Sequence, residues 1–327
     1  MKDNLFVLDA HFDLLSDAAL RRGRGERKVI ERMYMPDLMA GGVSALVASI
    51  FVEDMYLPEM GLRMAMSQIA SLHREAEETD RIVVCTSASD FRKAHDEGKL
   101  GIMLSFEGAE PVFSIDSLLL FYKLGVRGLG LCWSRPNRAA EGIDFSGSRK
   151  KGGLTGYGEE LVDEAVRLGM FIDISHLSDE GVESLMAHTS APFIASHSNA
   201  RALTPANRNL PDEFLEEIAL RGGVVGINAC SSFVDEESPD MEKLADHLEY
   251  LISKLGEDKA GLGFDLCDVF YQNGAFTGAR KNHDVLESHR MVPEFLGILR
   301  GRGFSEDLIR KIAGENWLSF YDRYGVK

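Results

Sequence analysis

Five residues of this 327-residue chain have the types and spacing to hold metal ions. His11 and Asp13 stand two apart at the end of an apolar run, so an extended strand projects both side chains to the same side. Further apolar runs end in Ser105-Phe106-Glu107-Gly108, Asp173-Ile174-Ser175-His176, Ala195-Ser196-His197-Ser198 and Gly263-Phe264-Asp265. Histidines combined with carboxylates suit zinc or another divalent transition ion. The candidate ligands His11, Asp13, Glu107, His176 and His197 are too many for one four-coordinate ion. They match two ions sharing a carboxylate, about 3.5–4 Å apart. One histidine at a strand end is ordinarily a hydrogen-bonding loop residue. The whole set falling at strand ends is what distinguishes these five.

Residues so distant in sequence need a frame that gathers them. Eight short apolar runs cover residues 5–10, 43–51, 100–106, 126–133, 170–175, 192–196, 223–229 and 260–264. Apolar on both faces, they read as buried parallel strands. A ninth run, 81–86, reads as an extra edge strand. Amphipathic stretches lie between them. Ser178-Asp179-Glu180 and Pro211-Asp212-Glu213 open two helices, a third follows residues 154–158, and Gly125, Gly169 and Gly222 mark helix stops. Strands alternating with helices predict an α/β fold, a (β/α)8 TIM-type barrel, as one domain over residues 1–327. An open doubly wound sheet is the runner-up. In a barrel every C-terminal strand end opens on one face, so the five candidates and Asp265 converge there.

Lys plus Arg number 36 against 52 Asp plus Glu, a formal net charge of −16. This acidity argues against nucleic acid as a partner, because a polyanion is bound by clustered Lys and Arg that displace its counterions. The one basic cluster, residues 21–28, reads as a solvated loop, and Glu75-Ala76-Glu77-Glu78 as a solvated helix face. Cys85, Cys132, Cys230 and Cys267 are too scattered for a disulfide framework or a zinc ribbon, and Cys267 reads as a buried structural thiol. The first residues carry no apolar leader and no run reaches about 18 apolar residues, so a cytoplasmic protein without membrane contact is expected. His73, His95, His188, His247 and His289 lie in or beside charge-rich segments and read as surface residues. His283, in a polar loop after the eighth run, reads as a loop residue that could border the site.

Taken in order, these motifs resemble one family, the membrane (renal) dipeptidases, zinc peptidases of the amidohydrolase-type, metal-dependent hydrolase barrel. His11-Phe12-Asp13-Leu14 resembles its H-N-D-L motif, with Phe12 at the non-ligand position, and Glu107-Gly108 its E-G. The strongest block runs from Gly169-Met170-Phe171-Ile172-Asp173-Ile174-Ser175-His176-Leu177-Ser178 to Ser196-His197-Ser198-Asn199-Ala200-Arg201. It is similar to G-M-x-I-D-x-S-H-x-S and S-H-S-x-A-R, with the same step between the histidines. Asn207-Arg208-Asn209-Leu210-Pro211-Asp212 resembles R-N-x-P-D, Asp265 falls where the family has a strand-8 aspartate, and the likeness continues to Ala313-Gly314-Glu315-Asn316-Trp317-Leu318.

The resemblance implies that His11 and Asp13 bind one zinc, that His176 and His197 bind the other, and that Glu107 bridges the two. It makes Asp265 the general acid/base and Arg208 the anchor for the substrate's C-terminal carboxylate, a task that suits the planar guanidinium fork. The implied activity is hydrolysis of free dipeptides, L,D-dipeptides included, by a metal-bridging hydroxide. Relatives are often homodimers. Two departures stand out. Leu131-Cys132-Trp133-Ser134 puts Trp133, assigned to substrate binding, where mammalian-type members carry a histidine. Asp265-Leu266-Cys267-Asp268 replaces D-F-D-G. Trp133 keeps open a same-fold hydrolase of N-acyl-amino acids or lactones, since fold and metals do not fix substrate. A non-catalytic metal-containing binding protein is the third reading. Asp265 speaks against it, because five ligands hold two ions without it.

Overall fold

The strands form where the apolar runs lie. The computed structural model describes residues 5–144, 152–275 and 282–326, so the leader reading of residues 1–4 lies outside the described residues. Among the described residues the strands are β1 (Val7–Phe12), β2 (Val43–Ile50), β3 (Ile82–Val84), β4 (Leu100–Glu107), β5 (Val126–Gly130), β6 (Phe171–Asp173), β7 (Phe193–Ile194), β8 (Val225–Ile227) and β9 (Ala260–Leu262). All pairings between them are parallel, in the order β1-β2-β4-β5-β6-β7, with β8 paired to β9. A parallel bridge from Ala195 to Val225 joins β7 to β8. The sheet curls so that β9 packs beside β1, and no ladder joins these two strands among the described residues. This is the (β/α)8 arrangement expected from the alternation. β3, the ninth run, pairs with the first residues of β4, on the edge that β5 takes over further along.

Side chains alternate between two cores, as period-two strands require. Leu8, Ala10, Ala45, Val47, Met103, Phe171 and Ile194 face inward and are closed from below by Trp317 and Tyr321. Leu46, Ala48, Ile50, Ile102 and Leu104 face outward, against the helices. β1 breaks this alternation once. Asp9 stands opposite Leu46 but Phe12 stands opposite Ala48, so three steps on β1 match two on β2. Such a bulge turns the following side chains to the other face. Phe12 consequently points out, where its ring packs on Tyr34 and Phe270, and His11 points in.

The helices start and stop on the expected signals. Thr155 and Ser178 accept backbone N–H groups at the starts of Gly156–Leu168 and Asp179–His188, Pro211 precedes Asp212–Arg221, and left-handed Gly169 and Gly222 end their helices. Several expectations for charged segments need correction. Arg21 and Arg22 belong to the helix Leu14–Gly23, not to a loop, and are partly buried in ion pairs with Asp17 and with Glu75 and Glu78. Glu75 is fully buried by the same pairing. His247 and His289 are buried as well. Hydrogen bonds make this burial tolerable: His247 accepts from the Ala200 N–H and donates to the Val234 carbonyl, and His289 donates to Asp9. His73, His95 and His188 are half-buried, each with a polar partner. No described helix is long and apolar enough to cross a membrane.

Candidate active site

The C-terminal strand ends supply one cluster from five directions. At the end of β4 the chain turns at Gly108, whose φ of 113° suits glycine and where an added Cβ would meet Glu110. That turn leaves the Glu107 carboxylate in the barrel mouth. Its Oε1 lies 2.9 Å from His176 Nε2 and 3.7 Å from His197 Nε2, while Oε2 lies 3.4 Å from His11 Nε2. His176 and His197 bring their Nε2 atoms to 3.0 Å of each other. His11 Nε2 is 3.6 Å from Asp13 and 4.0 Å from Asp265. All five sequence-derived ligands and Asp265 therefore converge.

Strain marks the same place. Among the described residues only three non-glycines have left-handed backbone, and two of them are His176 (φ 73°) and Asp265 (φ 57°). Each costs about 1–2 kcal/mol and persists where the surroundings over-determine it. Asp265 is held by the Asn228 amide, 3.0 Å from Oδ2, and His176 by Ser134, 2.8 Å from Nδ1. Ser196 braces His197 through Nδ1 at 2.6 Å and reaches His11 Nδ1 at 3.5 Å. Ser49 donates to Asp13.

The arrangement fits metal ions. His11 Nε2 and Glu107 Oε2 are buried with no hydrogen-bond partner, and buried polar atoms are rarely left so. His11, Glu107 and His197 form one group with ligand atoms close enough for a shared ion, and His11, Asp13 and Asp265 form another. With Nδ1 of His176 and of His197 bonded to a serine, each ring has its Nε2 available as the ligand atom. Charge distribution agrees. Burial, with Arg208 and His11 adding repulsion, pushes His176 and His197 well below the ordinary histidine range, so both rings are neutral. Burial also disfavours a charged His11, but Glu107 and Asp13 outweigh it and hold its proton well above that range. Burial, with repulsion from Asp13, raises Glu107 to about 8. Asp265 rises to about 7, mainly by burial and then by Asp13, against the pull of His11 and Arg208.

Arg208 is buried beside the cluster, its guanidinium bonded to Ser198 Oγ (2.7 Å) and the His197 carbonyl (2.9 Å), with Nε unpartnered. Its loop is clamped by Arg201, which pairs with Asp179 and donates to the Asn207 and Asn209 carbonyls. Trp133 lies 5.5 Å from the His176 ring and 5.4 Å from Phe51, with Arg135 over its face. Cys267 is half-buried, its thiol 3.8 Å from Asp265 Oδ1, and thus a neighbour of the site rather than a core thiol. His283 is exposed and lies 3.4 Å from Asp268 instead. Sequence reasoning missed Asn228, Ser134, Ser196 and the Asp9–His289 pair. Asn228 had a signal, as a lone amide inside the apolar run 223–229.

The chain is similar to solved metallopeptidases over nearly its whole length. It shares 31% identity and a TM-score of 0.85 with dipeptidase AC, a metallopeptidase of family M19, covering 98% of this chain and 99% of that one. With a metallopeptidase of Rhodobacter sphaeroides it shares 30% identity and a TM-score of 0.85, covering 98% and 100%. The dipeptidase verJ of Clonostachys rogersoniana is 30% identical over 263 residues, 80% of this chain and 65% of that protein. The profile of the membrane dipeptidase family, peptidase family M19, matches residues 1–322, and the chain belongs to that family of metal-dependent peptidases.

Proposed function

We propose that this protein hydrolyses free dipeptides, those with a C-terminal D-residue included, as one barrel domain holding two zinc ions. The observation that carries the reading is that His11 Nε2 and Glu107 Oε2 are buried without a hydrogen bond inside a ring of Asp13, His176, His197 and Asp265. His11 and Asp13 would hold one ion, His176 and His197 the other, and Glu107 would touch both. When bound, such ions acidify water and polarise a carbonyl. The Rhodobacter sphaeroides relative was solved with a phosphinate mimic of L-Ala-D-Ala, which supports the inclusion of L,D-dipeptides.

The protein's own groups would do the rest. Arg208, fixed on Ser198 and the His197 carbonyl, presents its remaining N–H groups to the substrate's C-terminal carboxylate. Asp265, with its proton affinity raised to about 7, can take a proton from the attacking water and return it to the leaving amine near neutral pH. Asn228 holds one Asp265 oxygen and leaves the other facing His11. Trp133 walls the site against His176, where it can pack on the substrate but cannot supply the charge of a histidine.

Amino-acid release from L,L and L,D dipeptides by zinc-reconstituted protein tests the reading. Cleavage that disappears when the substrate's N-terminus is acetylated supports it. No cleavage by protein shown to hold two metals overturns it and favours acylated amino acids or lactones, the reading that Trp133 would suit.

A further inference from the structure

The bulge in β1 and the seam beside it meet at one buried carboxylate. Asp9 Oδ1 accepts the His11 N–H at 3.2 Å and the Phe264 N–H at 3.0 Å, and Oδ2 accepts from His289 Nε2 at 2.7 Å. His289 is buried too, its ring 4.7 Å from that of Phe12 and 6.5 Å from that of Phe264. Each contact adjoins a residue of the site. His11 faces the mouth only because β1 carries one extra residue between Asp9 and Phe12. A bulge interrupts the ladder and re-aims side chains, so something must satisfy and fix the displaced backbone. Asp9 does this for His11. The same oxygen crosses to the chain just past β9, a strand that no backbone ladder joins to β1 among the described residues, and fixes Phe264 immediately before left-handed Asp265.

We propose that Asp9, held by His289, is a positioning residue that sets His11 and Asp265 against each other across the open seam. Its role in turnover rests on the dipeptidase reading; its role in geometry does not. Phe12 belongs to the same device. Pointing outward after the bulge, its ring covers His289 together with Phe264.

The test uses cobalt-substituted full-length protein carrying Asp9→Ala, Asp9→Asn or His289→Ala. Visible absorption, metal per chain, kcat, KM and Tm are read for each. Asp9→Ala should change the cobalt spectrum and lower kcat about 10–100-fold, with KM within about threefold of wild type. Asp9→Asn keeps an acceptor oxygen for both N–H groups and should recover most of the loss. His289→Ala should shift the spectrum the same way, with a smaller fall in kcat. A lowered Tm with unchanged spectrum and unchanged kcat per loaded protein would mean that the carboxylate only closes the barrel, and the proposal would fall. If Asp9→Ala does not fold, His289→Ala decides: a wild-type spectrum and kcat there overturns the proposal. If wild type cleaves no dipeptide, the functional reading fails, while the cobalt spectra of Asp9→Ala and His289→Ala still decide whether the seam positions His11.

Discussion

The two halves of the candidate site hang from different kinds of backbone. The His176 and His197 half follows the ends of β6 and β7, strands paired in regular register, with His176 itself in left-handed backbone and each ring braced at Nδ1 by a serine. Burial keeps both rings neutral. The His11, Asp13 and Asp265 half stands on a bulge and on an unladdered seam. There carboxylates outnumber imidazoles, and His11 retains a proton because Glu107 and Asp13 face it. Neutral donors held by hydrogen bonds are ready for a cation as they stand. Crowded carboxylates balance only when positive charge lies between them, as a proton or as a metal ion.

Glu107 alone contacts His11 and both histidines of the other half, so its replacement should have the largest effect. Glu107→Gln keeps the shape and removes the charge. A loss of several kcal/mol of transition-state stabilisation corresponds to a fall in kcat/KM of about 10³-fold or more, with fewer metals per chain by elemental analysis. Near-normal turnover would show that the halves do not work through one carboxylate. Asp265→Asn attacks the seam half only. It should lower kcat by about 10²–10⁴-fold while metal content stays at the wild-type value, because Asp265 is outside the proposed ligand set. Loss of metal in that variant would make Asp265 a ligand and redraw the division.

The serine braces separate the halves more finely. Ser134→Ala frees only His176, whereas Ser196→Ala removes the bond to His197 and the weaker contact with His11. Groups that orient a ligand imidazole are typically worth about 10–100-fold in metal affinity. Ser196→Ala should therefore fall further than Ser134→Ala in a competitive chelator titration. The reverse order would mean that the two histidines are braced unequally for reasons other than these hydrogen bonds.

What could be read from the sequence was which runs supply the site; how each side chain turns into it could not be read. His176 and His197 end apolar runs whose register is regular, but alternation from inward-facing Phe171 and Ile194 would turn both outward, and they reach the mouth three residues past their strands, His176 through left-handed backbone. His11 was placed correctly relative to Asp13, since two steps preserve a face. Alternation carried on from Leu8 and Ala10 would nevertheless have turned both outward, and the bulge that corrects it has no sequence signature. The partners that make it work come from elsewhere: His289 is 280 residues from Asp9, and the charge-rich segment around it reads as surface. Burial of Glu75 and His247 was missed for a similar reason. A local window shows charge and polarity but not the hydrogen-bonding partner that removes their cost. Asn228 was visible as an amide among apolar residues, though nothing local said which oxygen it would hold.

The smallest expected effect gives the sharpest view of the two halves. Metal must displace any proton from the atom it binds, so affinity rises with pH wherever the metal-free site is protonated and is flat where it is not. His176 and His197 are already neutral at pH 7, and a metal displaces no proton from either. On the seam half the facing carboxylates hold His11 protonated while Glu107 is raised to about 8, so this pair still holds a proton between its members at pH 7. Uptake there should strengthen as the pH rises from 6 past 8, with protons released to buffer. Calorimetry in buffers of different ionisation enthalpy counts those protons directly. Two binding steps with unequal proton release, the larger lost when Asp13 is replaced by Asn, would assign the protonated half to β1. Equal release at both steps would mean that Glu107 shares its proton evenly between the halves, and that the charge asymmetry ends once the first ion is bound.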